Sequence, residues 1–81
     1  SSGEIRLTAK EWEVLYILVL NRGEIITREM LLEKVWDADG NFVGDHTLSV
    51  VINRLRKKLE QDSTHPVYIK NVFGIGYTFG E

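Results

Sequence analysis

Residues 45–61 read DHTLSVVINRLRKKLEQ, and this stretch decides the fold. Laid on a helix at about 100° per residue, Leu48, Ile52, Leu55 and Leu59 gather on one side. His46, Val50, Asn53 and Lys57 fall opposite them, with Arg54 at the edge. One face is built to enter a core and the other to meet something polar or anionic. The helix is expected to begin at Asp45 or Thr47 and to run to about Gln61. Arg54, Arg56, Lys57 and Lys58 crowd its second half. Such a cluster also suits a solvated helix end, where cations offset the backbone dipole. Asn53 and Arg54 beside Ser49 and Val50 tilt the reading towards duplex DNA. Asparagine can pair bidentately with adenine and arginine with guanine, while an aliphatic group can touch the thymine methyl.

Downstream, Ser63-Thr64-His65-Pro66 breaks the helix. Val67 to Val72 reads as a strand, rich in β-branched and aromatic residues. Phe73-Gly74-Ile75-Gly76 is a hairpin turn and Tyr77-Thr78-Phe79 the returning strand. Upstream, residues 37–44 form a turn-rich, acidic loop. Before it, Leu31, Leu32 and Val35 give a second helix an apolar stripe that Trp36 closes. Thr27 is its N-cap, and Glu29 lies in the first turn, where the dipole favours an anion. Ile25-Ile26 is a short extended link. Thr8-x-x-Glu11 is a capping box opening a first helix, with Trp12, Leu15 and Val19 expected to face the core. Asn21-Arg22-Gly23 ends that helix, with Gly23 as its left-handed cap. Ile5-Arg6-Leu7 alternates and is expected to form a short strand. Ser1-Ser2-Gly3 reads as a linker end or cloning remnant, leaving residues 4–81 as the domain. The class is α+β: a three-helix bundle with a C-terminal β-hairpin and a short N-terminal strand.

Composition bounds the chemistry. The 81 residues are 43% hydrophobic and 27% charged, as in an ordinary globular domain. No apolar run approaches the roughly 20 residues of a membrane span, so neither a membrane partner nor an anchor is expected. The absence of cysteine excludes disulfides and thiolate metal sites and fits a cytoplasmic location. The net charge of −2 speaks against nucleic acid until its distribution is examined. Residues 1–45 hold five basic against nine acidic side chains, whereas residues 46–80 hold five basic against two acidic. A local basic face, not the total, governs phosphate binding.

Competing motifs fail. Asp37-x-Asp39-Gly40 has its glycine too early for a calcium loop, and Leu48 stands where a bidentate glutamate is required. Gly74-x-Gly76 precedes a strand, not the helix a dinucleotide site needs. His46 and His65 lack a third metal ligand. No nucleophile and base pair up, so neither an enzyme nor a cofactor is expected. Trp12 reads as core; Trp36 can pack while its N–H reaches a partner.

Four blocks carry a resemblance: Leu7-Thr8-x-x-Glu11-Trp12-x-x-Leu15; Gly23-x-Ile25-Ile26-Thr27-Arg28-Glu29-x-Leu31-Leu32-x-x-Val35-Trp36; Thr47-Leu48-x-Val50-x-Ile52-x-Arg54-Leu55-Arg56-Lys57-Lys58-Leu59; and Ile69-Lys70-x-Val72-x-Gly74-x-Gly76-Tyr77. The sequence resembles, over essentially its whole length, the effector domain of the OmpR/PhoB family of response regulators. The resemblance implies a winged helix-turn-helix. Its third helix would enter the major groove of double-stranded DNA and its hairpin wing the adjacent minor groove. It implies base-facing roles for Val50 and Arg54, and phosphate or edge contacts for His46, Thr47, Asn53, Arg56 and Lys57. Arg28 and Trp36 would make backbone contacts that set register, and Asn71 and Phe73 would make wing contacts. It further implies an N-terminal four-stranded sheet with Ile5–Leu7 as its last strand. A receiver domain with its histidine kinase, direct-repeat half-sites and a 37–45 loop that meets RNA polymerase are implied as well. Four positions depart from the pattern. His46 and Asn53 stand where relatives often carry arginine, Val51 replaces a frequent polar residue, and Phe73 replaces a wing arginine. The alternative is a winged-helix module that binds protein without specific DNA binding.

Overall fold

The computed structural model describes residues 5–37, 40 and 43–80, with the side chain of Asp45 left aside. Ser1 to Glu4, Ala38, Asp39, Asn41, Phe42 and Glu81 lie outside the described residues, and with them the expected linker remnant and much of the acidic loop. Among the described residues, three helices and three strands follow in the order α1 (Ala9–Leu20), β1 (Ile25–Thr27), α2 (Arg28–Val35), α3 (Asp45–Leu59), β2 (Ile69–Val72) and β3 (Gly76–Phe79). The strands form one antiparallel sheet with β3 in the centre.

The capping box at the start of α1 is complete. Thr8 Oγ1 accepts from the Glu11 N–H at 3.2 Å, and Glu11 Oε1 accepts from the Thr8 N–H at 3.0 Å. The inward face of α1 differs from the expected one. Val14 and Leu18 are buried, with Glu11 beside them, whereas Trp12 is 56% exposed and Val19 also faces outward; Leu15 is half-buried against the core. Trp12 is therefore not a core residue. It lies near Tyr16, with ring centroids 6.0 Å apart. Apolar residues run around the whole circumference of α1, so periodicity alone does not fix its phase. Phase is set by the tie that Glu11 makes to α3.

The expected stripes of α2 and α3 are in place. Leu31, Val35 and Trp36 come from α2 and its cap, and Leu48, Ile52 and Leu55 from α3. Val51 joins them in the core, which accounts for an apolar residue at that position. Ile26, Ile69 and Tyr77 close the core from the sheet. Truncating any of the fully buried leucines to alanine would cost about 2–5 kcal/mol.

Other boundaries moved for identifiable reasons. Ile5-Arg6-Leu7 forms no strand among the described residues: none of β1, β2 and β3 pairs with it, and Ile5 stays exposed while Leu7 packs on the core. Ile25-Ile26 is more than a link, because β1 pairs with β3 through Ile25–Thr78, Ile26–Tyr77 and Thr27–Gly76. Helix α3 ends at Leu59 because Glu60 turns extended (ψ 143°). β2 begins at Ile69, because the preceding N–H groups point at the Glu60 carboxylate.

The two glycines of the wing do different work. Gly74 takes φ +76° in a turn closed by the Ile75 N–H to Val72 carbonyl bond of 2.9 Å. Gly76 is a contact position: a Cβ there would run into the Ile26 carbonyl oxygen and lie 2.8 Å from Thr27 Cα. These are backbone atoms and cannot swing aside. Gly76→Ala is therefore expected to destabilise the domain by at least about 1–3 kcal/mol, the usual cost of overpacking. Urea melts of the two proteins check this, and an unchanged midpoint would contradict the close approach of β1 to β3.

Candidate nucleic-acid interface

Helix α2 begins under Thr27, whose Oγ1 accepts from the Met30 N–H at 3.1 Å. Arg28, its first residue, donates its N–H to the Ile75 carbonyl at 3.4 Å, tying the start of α2 to the wing turn. Between α2, α3 and the wing runs an open groove of about 450 Å³, lined among others by Arg28, Ser49, Asn71, Phe73 and Tyr77. Residues from three separate stretches of sequence thus share one surface.

On the outward side of α3, His46, Asn53, Arg54 and Lys57 are exposed, while Thr47 and Val50 are half-buried. The four-cation cluster divides in two. Arg54 and Lys57 make no hydrogen bond or ion pair among the described residues. Arg56 and Lys58 are committed internally. Arg56 Nε donates to the Ile69 carbonyl at 2.9 Å and its Nη2 to Asn71 Oδ1 at 2.8 Å, with the guanidinium 5.9 Å from the centre of the Tyr77 ring. Lys58 Nζ reaches Glu11 Oε1 at 2.6 Å, joining α3 to α1. Sequence spacing does not reveal either commitment, because the partners lie 13 and 47 positions away.

Glu11 is 1% exposed. Burial pushes its carboxyl up, but the Lys58 hydrogen bond, the Thr8 N–H and the charges of Lys58 and Arg54 together outweigh this and hold it below its ordinary value of 4.5. The carboxylate is therefore charged and paired at neutral pH.

Glu60 escaped the sequence reading. It is 7% exposed. Its Oε1 accepts from the Val67 N–H at 2.7 Å, and its Oε2 accepts from Tyr68 at 2.9 Å and Ile69 at 2.8 Å. One carboxylate satisfies three successive backbone donors at the root of the wing. The only sequence signal for this was an acid directly after a basic helix end and before a proline-broken loop.

The remaining expected residues are placed as follows. Asn71 is exposed on β2 beside Arg56. Phe73 is 98% exposed at the wing turn. Its side chain does not pack back on the domain. Trp36 is 5% exposed and belongs to the core, with Lys10 Nζ 5.8 Å from its ring centre. Asp62, Thr64 and His65 form a small exposed turn network. There the Thr64 hydroxyl, the Thr64 N–H and the His65 ring all hold the Asp62 carboxyl below its ordinary value. No helix among the described residues is long and apolar enough to cross a membrane.

Residues 2–79 match the family described as transcriptional regulatory protein, C terminal. The chain belongs to this family. It is 45% identical over 74 residues to the sensory transduction protein RegX3 of Mycolicibacterium smegmatis, covering 90% of this chain and 32% of that protein. Among solved structures, the response regulator DrrB, a Thermotoga maritima OmpR/PhoB homologue, superposes with a TM-score of 0.87 at 42% identity. That match covers 95% of this chain and 34% of DrrB. The Klebsiella pneumoniae RstA DNA-binding domain, solved in complex with RstA box, gives a TM-score of 0.80 at 33% identity over 94% of this chain and 74% of its own. The chain spans about a third of the length of RegX3 and DrrB. The fold is thus the winged helix-turn-helix of OmpR/PhoB regulators, with the β2–β3 hairpin as the wing.

The Glu11–Lys58 pair yields a pH prediction. A carboxyl whose folded value lies below its unfolded one stabilises the fold fully above the unfolded value, near 4.5, and loses that contribution as pH falls through the folded value. Lys58→Met leaves the same carboxyl buried with only the Thr8 N–H and the Arg54 charge to offset burial, so the downward shift shrinks. The variant is expected to lose about 1–3 kcal/mol at pH 7 and to close the gap with the parent as pH drops below 4.5. Denaturant melts across pH 3–7 (roughly the window set by the carboxylate range) check it. Parallel curves for the two proteins would refute the pairing.

Proposed function

We propose that this chain is the sequence-specific, double-stranded-DNA-reading output domain of a cytoplasmic two-component response regulator, acting without catalysis. The observation that carries the reading is the split of α3. Leu48, Val51, Ile52 and Leu55 are buried, while His46, Asn53, Arg54 and Lys57 stand exposed with the wing groove alongside. The RstA domain solved on its DNA box supports it by likeness.

In this reading Arg54 and Val50 meet base edges in the major groove, arginine as a fork on guanine and valine against a thymine methyl. His46, Thr47, Asn53 and Lys57 meet phosphates, which position the domain without carrying sequence information. Arg28 lines the groove and fixes register on the backbone. Trp36 serves register by anchoring the end of α2 in the core. Asn71 and Phe73 belong to the wing contact. A module this small buries limited DNA surface, so two copies on direct-repeat half-sites share the work. A receiver domain phosphorylated by its histidine kinase would raise the effective concentration of the second copy. Asp37, Asp39 and Asp45 repel phosphate, which favours a 37–45 loop turned from the DNA towards RNA polymerase.

Titrations on a duplex selected from random sequence and on a scrambled one test the assignment at several salt concentrations. Arg54→Ala should lose about 1–3 kcal/mol of discrimination between the two. Lys57→Ala should weaken both equally and reduce the salt slope by about 0.9. Equal losses on both duplexes for Arg54→Ala would sink the base-reading role. Binding without salt dependence would favour the protein-interaction module instead.

Phe73 gives a second test. It offers the minor groove no charge, only an aromatic face for a sugar or a base step. Phe73→Arg should raise affinity, steepen the salt slope by about one phosphate equivalent and increase preference for A·T-rich flanks. If neither slope nor flank preference moves, the wing tip does not approach DNA.

A further inference from the structure

Arg56 lies in the basic cluster, yet its surroundings differ from those of Arg54 and Lys57. Its guanidinium spans from α3 to β2. Nε is spent on the Ile69 carbonyl and Nη2 on Asn71 Oδ1, and the group lies beside the Tyr77 ring of β3. All three wing residues are held by one planar fork. Asn71 is exposed and borders the groove, so the bond from Arg56 fixes which way its amide faces. With Oδ1 turned to Arg56, the amide NH₂ is the end left for a ligand.

We propose that Arg56 is a positioning residue for DNA binding: it fixes the wing and the Asn71 amide relative to α3 and takes no phosphate itself. The proposal rests on the DNA-reading function above and assigns one member of the cluster a different part in it. A lysine keeps the charge at this position but lacks two coplanar N–H donors. The charge-preserving variant therefore separates the two roles. A phosphate contact survives Arg56→Lys in large part; a two-pronged tie does not.

The test uses the whole domain, well below its melting temperature, with Arg56→Gln, Arg56→Lys, Asn71→Ala and the Arg56→Gln/Asn71→Ala double variant. Affinity for the selected duplex is measured against salt, and amide hydrogen exchange is measured on the free protein. Arg56→Gln and Arg56→Lys should both weaken binding, on the order of three- to tenfold, by unfixing groups that must then be ordered on DNA. Neither should change the salt slope. The double variant should be no weaker than the worse single one, since both substitutions break the same contact. In the free protein, β2 and β3 amides should exchange faster in both Arg56 variants while α1 amides do not.

A slope lowered by about 0.9 in Arg56→Gln and restored in Arg56→Lys would overturn the proposal in favour of a direct phosphate contact. Unchanged affinity, or additive losses in the double variant, would overturn it too. If the parent domain itself ignores duplex DNA, the DNA reading falls and this role with it. Faster wing exchange in Arg56→Gln would then still mark the tie as structural, so the two failures are distinct.

Discussion

The backbone of Ile69 is held on both sides by α3 and its cap. Its N–H donates to Glu60 and its carbonyl accepts from Arg56, residues four apart on α3 and its cap. Four residues advance a helix by about 6 Å, so the two side chains lie one turn apart and grip a single extended residue between them. Ile69 itself is fully buried, which makes this residue a place where apolar packing and polar satisfaction coincide. Left unpaired there, each backbone group would cost about 1–3 kcal/mol. The wing follows from this grip: β2 starts where it is held, β3 pairs with β2, and β1 completes the sheet against β3.

The same accounting explains how an acidic chain offers a cationic face. Lys58 neutralises a buried carboxylate and Arg56 holds the wing, so half of the basic cluster is part of the framework. Arg54 and Lys57 are left for the outside. Negative charge is concentrated before α3, in the first two helices and the loop that follows them, away from that face in sequence.

Legibility in the sequence followed physical simplicity. Helix α3 was readable because its apolar residues recur at helical spacing with polar residues between them, so period and phase are both encoded. The hairpin was readable from β-branched runs on either side of two glycines. Helix α1 gave its start through the capping box but not its phase, because Trp12, Tyr16, Val19 and Leu20 are apolar yet exposed and mimic core positions. β1 was too short to separate from a link until its partner was known. The site was legible as a list of residue types and illegible as a set of roles. Whether Arg56 or Lys58 points outward depends on partners distant in sequence, and Glu60 shows its purpose only when three N–H groups arrive at its carboxylate.

Phe73 and Gly76 are three residues apart and sit at opposite extremes of tolerance. Position 76 admits no side chain at all, since main chain already fills the space a Cβ would need. Position 73 has almost its entire surface in solvent, so the folded state gains next to nothing from whichever side chain stands there. The base of the wing is thereby frozen while its tip is open to substitution without penalty to the fold. Divergence among descendants of this domain can accumulate at the tip, retuning what the wing touches, while the register of the sheet beneath it is inherited intact.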